Sequence, residues 1–376
     1  MTNKAISGRF RLDVLLRAFA TGALFLTGIA GTAQAAGCGT TVRAGQQELI
    51  IQSGGLERSA IVFVPANYTG KKKVAVVFDL HGSNSYPKDQ LSRSRWDDVA
   101  KREGFLVVAP QGGLDGKLAG THAWNVPGVT AGNGPDDAGF LKDAVETVKA
   151  KFCVDAERIY ASGYSGGGRM LSQYICNGNG DFAAAGFVMS LRAGYPRQKD
   201  GVWLPDNTSC APPKPVSIIA FWGLKDNTNP FAGGGSPYWQ YSGETALKRW
   251  AELDGCEGEM KVATGERISY MSFDKCKGGA RILSYTIADG SHAWPGKTVG
   301  FSLASAADKV SEEVDAATRM WNFFDDSQGK LIADVRAKSD CPDDAIAATS
   351  KAGVKGTTCS QPGKPDSNEH MAADAL

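Results

Sequence analysis

Arg158-Ile-Tyr-Ala-Ser-Gly-Tyr-Ser-Gly-Gly167 is the most informative run in the chain. Its first half, Arg158–Ser162, reads as a buried strand, and the residues after it, Gly167–Cys176, carry a helix pattern. G-x-S-x-G between a strand and a helix is a sharp turn that lifts one serine, here Ser165, out of the chain at the end of a sheet. Small flanking residues let the chain turn, and the helix behind aims its free N–H groups and positive dipole end at the serine oxygen. The competing reading is a glycine-rich structural turn with an incidental serine, since three fixed positions in five arise often by chance. Placement after a strand and before a helix favours the elbow. Neither GxGxxG nor GxxxxGK[ST] can be read here, which argues against a phosphate loop.

Outward from this turn, short apolar runs alternate with helical patterns. Ile61–Pro65, Val74–Leu80, Phe105–Pro110, Arg158–Ser162, Ala185–Met189 and Val216–Trp222 are nearly continuous in apolar residues, as strands buried on both faces are. Between and after them, Ser92–Arg102, Asp137–Phe152, Gly167–Cys176, Glu244–Asp254 and Asp308–Phe324 have helical character; in the last, Val310, Val314, Ala317, Met320 and Phe324 make one apolar face. The alternation predicts an α/β fold, a doubly wound and mostly parallel sheet with helices on both faces.

The ends differ from this middle. Lys4, Arg9, Arg11 and Arg17 precede an apolar run from Ala18 to Ala33, followed by the small-x-small Ala33-Gln34-Ala35. That order predicts a secretory signal peptide over 1–35, with a run too short and broken for a spanning helix. Residues 36–328 are expected to form one catalytic-sized domain, and 329–376, rich in Asp, Lys, Ala, Gly and Ser, a polar tail. The product is expected in the periplasm or outside the cell. A lipid anchor on Cys38 is disfavoured, because Ala35 stands where a larger apolar residue would precede it. Eight cysteines suit an oxidising compartment. Sequence does not fix their pairing; proximity suggests 256–276, 341–359 and 176–210, leaving 38–153. No CxxC pair or clustered His/Cys spacing points to a metal, and no cofactor is expected.

With 376 residues, 42% hydrophobic, 22% charged and a net charge of +1, the chain is an ordinary globular protein, neither disordered nor fibrous. Without 1–35 the charge becomes −2. Neither value offers nucleic acid or an anionic membrane as a partner. Oligomeric state is not readable.

An elbow serine needs a base, and there are four histidines. His81 ends a buried strand before a glycine, His122 lies upstream of Ser165, and His370 is in the tail. His292, in Asp289-Gly-Ser-His-Ala-Trp-Pro-Gly296 after the strand-like Arg281–Ile287, alone satisfies the chain order serine, acid, histidine. For the acid, Asp226 turns off the end of Val216–Trp222. Asp289 sits too close along one loop to His292 to aim at its ring, and Asp181, Asp200, Asp206, Asp254 and Asp274 follow no strand. Negative charge developing on a substrate oxygen needs preorganised N–H donors. Gly166 should supply one and Ser83, in Leu80-His-Gly-Ser83, the other, with His81 positioning the loop.

Leu80-His-Gly82, Trp124-Asn125, Asp136-Asp-Ala-Gly-Phe140, Phe152-Cys-Val-Asp155, Arg158–Gly167 and His292-Ala-Trp-Pro-Gly296 together resemble the secreted feruloyl esterase and polyhydroxybutyrate depolymerase group, α/β-hydrolases close to carbohydrate esterase family 1. The likeness runs from about Cys38 to Phe324. It implies an α/β-hydrolase fold, Ser165 as nucleophile, Asp226 as acid, His292 as base, Trp124 near the substrate cleft, and disulfide-linked cysteines. Two positions depart from the group. Gly166 stands where Asn or Ala is frequent, and Trp222-Gly-Leu-Lys-Asp226 replaces a His-Gly-x-x-Asp stretch, keeping the acid beside a more apolar wall.

Of the aromatic candidates Trp124, Tyr164, Trp222, Tyr238, Trp239 and Trp294, half are expected in the core. Trp124 and Trp294 sit in loops where a flat phenolic group could stack, and Tyr164 lies in the elbow. Gly233–Gly235 reads as a mobile loop beside the Asp226 turn. The expectation is a secreted serine carboxylesterase acting on hydroxycinnamoyl (ferulic-type) esters of plant polysaccharide. A polyhydroxybutyrate depolymerase is the alternative, and an inactive hydrolase-like binding module the reading from another class.

Overall fold

The computed structural model describes residues 37–130, 134–296 and 314–325, all within one compact unit. The expected signal peptide, the tail with Cys341, Cys359 and His370, and residues 308–313 of the last helix lie outside the described residues.

The strands are β1 (Gly45–Ser53), β2 (Leu56–Val64), β3 (Val74–Leu80), β4 (Leu106–Pro110), the short pair β5 (Leu114–Asp115) and β6 (His122–Ala123), β7 (Val154–Tyr164), β8 (Ala184–Val188), the hairpin β9 (Pro196–Lys199) and β10 (Val202–Pro205), β11 (Ser217–Gly223), β12 (Lys261–Ala263), β13 (Ile268–Phe273) and β14 (Ile282–Ile287). The helices are α1 (Pro87–Ser94), α2 (Trp96–Glu103), α3 (Asp137–Lys151), α4 (Gly166–Cys176), α5 (Gly243–Leu253) and α6 (Ala316–Asp325). Ten strands form one sheet in the order β1-β2-β4-β3-β7-β8-β11-β14-β13-β12. From β4 to β14 the pairings are parallel, and both margins are antiparallel. This is the α/β-hydrolase arrangement the sequence anticipates.

Side-chain alternation sends the central strands' apolar groups to both faces. Val76, Phe78 and Leu80 of β3 join a core with Phe140 and Leu141 of α3, Met170 and Leu171 of α4, and Trp250 of α5. Ala75 and Val77 join the opposite core, with Leu91, Trp96 and Val99 of α1 and α2 and Met320, Trp321 and Phe324 of α6. There α6 is held by ring stacking, Trp321 on Phe105 and Phe324 on Tyr160, with centroids 3.9 and 4.9 Å apart.

Two helix expectations need correction. Ser92–Arg102 is not one helix: Arg95 adopts a left-handed φ of 56°, its N–H closing α1 on the Leu91 carbonyl, and α2 begins at Trp96. The last helix begins at Ala316, where the Asp315 carboxylate accepts from the Thr318 N–H at 2.7 Å and caps the first turn, so Val314 precedes it. Three disulfides tie the periphery, Cys38–Cys153, Cys176–Cys210 and Cys256–Cys276, each as proximity suggests. Among the described residues no helix is long and apolar enough to cross a membrane.

Candidate active site

β7 ends at Tyr164 and α4 starts at Gly166, leaving Ser165 alone at the turn with φ 49° and ψ −113°. This conformation is costly for a residue with a Cβ and persists only where the surroundings impose it. They do: a Cβ on Gly163 would lie 2.6 Å from the Gly168 backbone, so the strand and the helix can close on each other only through glycine. The Ser165 N–H is tied to the Val188 carbonyl of the neighbouring strand.

The turns after β11 and β14 are laced together. Leu224 N–H donates to Ile287 O, and Lys225 N–H donates to Gly290 O at 2.8 Å. This places Asp226 behind His292. His292 Nδ1 lies 2.7 Å from Asp226 Oδ2, and His292 Nε2 lies 2.9 Å from Ser165 Oγ. The other Asp226 oxygen accepts from the Thr228 and Asn229 N–H groups, both at 2.8 Å, which fixes the plane of a carboxylate that is almost fully buried. The three residues chosen by chain order therefore form one hydrogen-bonded line. The rejected candidate Asp289 instead faces Arg267 at 3.3 Å.

The β3 loop lies across the start of α4. A Cβ on Gly166 would sit 2.9 Å from the Ser83 amide nitrogen, so the two backbone amides are neighbours at the serine. Gly112 N–H donates to His81 Nε2 at 3.0 Å, which leaves the proton on Nδ1, 2.7 Å from the Gly82 carbonyl it donates to. That carbonyl and the Ser83 N–H are the two ends of one planar peptide unit, so His81 sets the direction in which the N–H points. Burial pulls the pKa of His81 down to about 4, which keeps it neutral for this task. His122 pairs by backbone with Ser85, and the imidazole on Ser165 is that of His292.

Trp124 and Trp294 do not line the cleft. Trp124 is only 2% exposed; its indole N–H donates to the His81 carbonyl at 2.7 Å and its ring lies against the imidazole. Trp294, 3% exposed, packs edge-on behind Tyr164. Both loops fold inward, because the indoles find apolar cover that a loop position in sequence does not reveal. Trp222 and Trp239 are buried too, which leaves Tyr164 and Tyr238 as the partly exposed rings of the six. Tyr164 donates its hydroxyl to the His292 carbonyl, beneath the Arg93 guanidinium. Gly233–Gly235 is closed by backbone bonds to Pro230, Gln240 and Trp239, a laced turn where a mobile one was expected.

Sequence reasoning overlooked two supports. Asp137 accepts from the Gly113 and Asn125 N–H groups and pairs with Arg58 at 2.6 Å, binding the loops below the β3 turn. The Asp136-Asp137 block was visible, but its partner lies 79 residues away. Asp79 is fully buried between β3 and β7, accepting from Gln90, Ser94 and Ser162, and burial raises its pKa to about 6. Among the described residues no group of three His, Cys, Asp or Glu side chains could hold a metal ion.

No family model matches the chain. Feruloyl esterase B of Piromyces equi is 31% identical over 243 residues, 63% of this chain and 42% of that protein, so the chain spans under half of that relative. A probable feruloyl esterase C of Aspergillus terreus is 25% identical over 323 residues, 83% of this chain and 98% of that one. An acetyl xylan esterase from Aspergillus awamori superposes with a TM-score of 0.45 at 14% identity, over 66% of this chain and 94% of that one. The sequence relatives bear out the resemblance carried by the motif blocks.

Proposed function

We propose that this chain is an exported serine carboxylesterase that releases hydroxycinnamic acids from plant polysaccharide esters. The observation that carries the chemistry is the continuous line from Ser165 Oγ through His292 to the fixed Asp226 carboxylate. In this reading His292 Nε2 takes the Ser165 proton as Oγ attacks the ester carbonyl, and Asp226 steadies the imidazolium that forms. The Gly166 and Ser83 amides hold the oxyanion. His292 then returns the proton to the departing alcohol, and a water activated by the same imidazole releases the acyl group. The named activities of the sequence relatives support the acyl choice, and Tyr164 and Tyr238 are the rings available to a flat phenolic group. Residues 1–35 serve as the export signal, 36–328 as the catalytic domain and 329–376 as a tail; three disulfides support an oxidising destination.

The test compares methyl ferulate, p-nitrophenyl acetate and 3-hydroxybutyrate oligomers on wild type and Ser165→Ala. Ferulate should be turned over fastest, and the variant should lose at least about 10⁴ in kcat on every ester. Faster turnover of the hydroxybutyrate oligomers would reassign the substrate to the polyester. Failure of an organophosphonate to label Ser165 in folded protein would leave a binding module.

A further inference from the structure

Arg169 stands one helical turn beyond Ser165, its backbone N–H on the Ser165 carbonyl at 3.1 Å. Because residue 166 has no side chain, the guanidinium reaches across it: Nη2 passes 3.3 Å from where a Cβ would sit and donates to Ser83 Oγ at 3.2 Å. One face of the guanidinium lies on the Tyr238 ring, 4.4 Å from its centroid. Nε is buried with no hydrogen-bond partner.

Other arginines of the described structure are held differently. Arg93 pairs with Asp89, Arg58 with Asp137 and Arg249 with Glu252. Arg192, which also has no carboxylate partner, is buried and donates to the Leu191 and Tyr241 carbonyls. The groups that accept from Arg169 are neutral, the hydroxyls of Ser83 and Tyr238, and among the described residues no carboxylate pairs with it. Its Nε has given up water without gaining an acceptor, and a donor buried in this way is costly. Burial accordingly pulls its pKa below the usual value. One face lies on an aromatic ring and Nη2 reaches the exposed hydroxyl of Ser83, and a guanidinium so placed suits a planar, two-oxygen acceptor, the geometry a carboxylate offers.

We propose that Arg169 is a substrate-binding residue that selects esters carrying a carboxylate close to the scissile carbonyl. The charge can come from the acyl side, as in a half-ester of a dicarboxylic acid, or from the alcohol side, as in an ester of a uronic acid. The inference rests on the esterase reading above. It adds that the neutral hydroxycinnamoyl ester is not the only class the site favours.

The experiment reads a selectivity ratio, kcat/KM for an acidic ester over that for a neutral ester of matched size. The acyl arm sets p-nitrophenyl hemisuccinate against p-nitrophenyl butyrate, and the alcohol arm sets acetylated glucuronic acid against acetylated glucose. Wild type should favour the acidic member in one arm, which identifies the side the carboxylate comes from. In Arg169→Gln that ratio should fall by about 10- to 100-fold, the worth of a charge-assisted hydrogen-bonded pair, chiefly through KM of the acidic ester. Arg169→Lys should recover part of it. If Arg169→Gln does not fold, wild type still answers: its preference should decline as salt is raised, and the free dicarboxylate or uronate should inhibit more strongly than its amide. No preference in either arm, or a variant that loses activity on acidic and neutral esters equally through kcat, overturns the proposal. Absence of Ser165-dependent hydrolysis of p-nitrophenyl butyrate would instead overturn the esterase reading itself.

Discussion

Placing a single methyl group at position 166 should separate the two amides that flank Ser165. In Gly166→Ala the new Cβ would sit 2.9 Å from the Ser83 nitrogen, 3.3 Å from Arg169 Nη2, and closer still to Ser83 Oγ. The hydroxyl and the guanidinium end flexible side chains and can swing away. The amide cannot, because its peptide is held at the Gly82 carbonyl by His81, and His81 is fixed by Gly112 and Trp124. Ordinary contact with a Cβ begins near 3.4 Å, so the loop and the elbow must part by about half an ångström. Deleting an oxyanion donor outright costs on the order of 10²–10³ in kcat. A donor displaced by this much should cost about 10- to 100-fold, with KM nearly constant because the interaction belongs to the transition state. Steady-state kinetics on p-nitrophenyl acetate reads the loss, and the rate of organophosphonate labelling at Ser165 should fall in parallel while the thermal midpoint holds. Adding Ser83→Ala should not restore the rate, since the amide contact remains. A Gly166→Ala enzyme within threefold of wild type in kcat would show that these amides do not hold the oxyanion.

Three further outcomes follow from the supports of the site. Asp79, raised to about 6 from 3.8, contributes stability that is present below pH 3.8 and lost as pH rises through 6; His81, lowered to about 4 from 6.5, contributes stability present above 6.5 and lost as pH falls through 4. The two slopes oppose each other, so Asp79→Asn should make urea stability climb more steeply between pH 4 and 6.5, with a gain on the order of 2–3 kcal/mol by pH 7.5 relative to pH 4; an unchanged slope would refute the assignment. Arg58→Ala leaves the buried Asp137 carboxylate unpaired and should cost about 3–5 kcal/mol in denaturant unfolding, and a loss under 1 kcal/mol would mean that the pair is not a support. Trp124→Phe removes the bond to the His81 carbonyl and should lower kcat about 3- to 10-fold on methyl ferulate and p-nitrophenyl acetate alike; a loss confined to ferulate would return Trp124 to the substrate.

The central strands were legible because a parallel strand is apolar on both faces: Val74–Leu80 is matched residue for residue, and Val216–Trp222 is shifted by one. β1 and β13 escaped notice for the opposite reason. At the antiparallel margins only one face is covered, and Gly45–Ser53 alternates exposed and buried residues in a polar sequence. Ser165, Asp226 and His292 could be placed because chain order and strand ends restrict where such residues can meet. The supports could not, since Asp79 and Ser162 are joined across 83 residues by the pairing of β3 with β7, and Arg58 and Asp137 across 79 residues by the packing of β2 near the start of α3. Arg169 offered no periodic or motif signal; its meaning comes from the missing side chain at 166 and the missing acid around it.

The three disulfides also carry a consequence for how the molecule is made. Counted from the N-terminus, the first described cysteine is bonded to the second, the third to the fourth, and the fifth to the sixth. None of the loops they close crosses or encloses another. A chain appearing N-terminus first, with an oxidant that joins each new thiol to the one still waiting, would therefore reach this pattern without breaking a wrong bond. Cys38 waits longest, 115 residues until Cys153 arrives, and by then β1 to β4 are already available to pair. Order of synthesis alone thus suffices to select the three described bridges, and thiol reshuffling becomes a repair route for them.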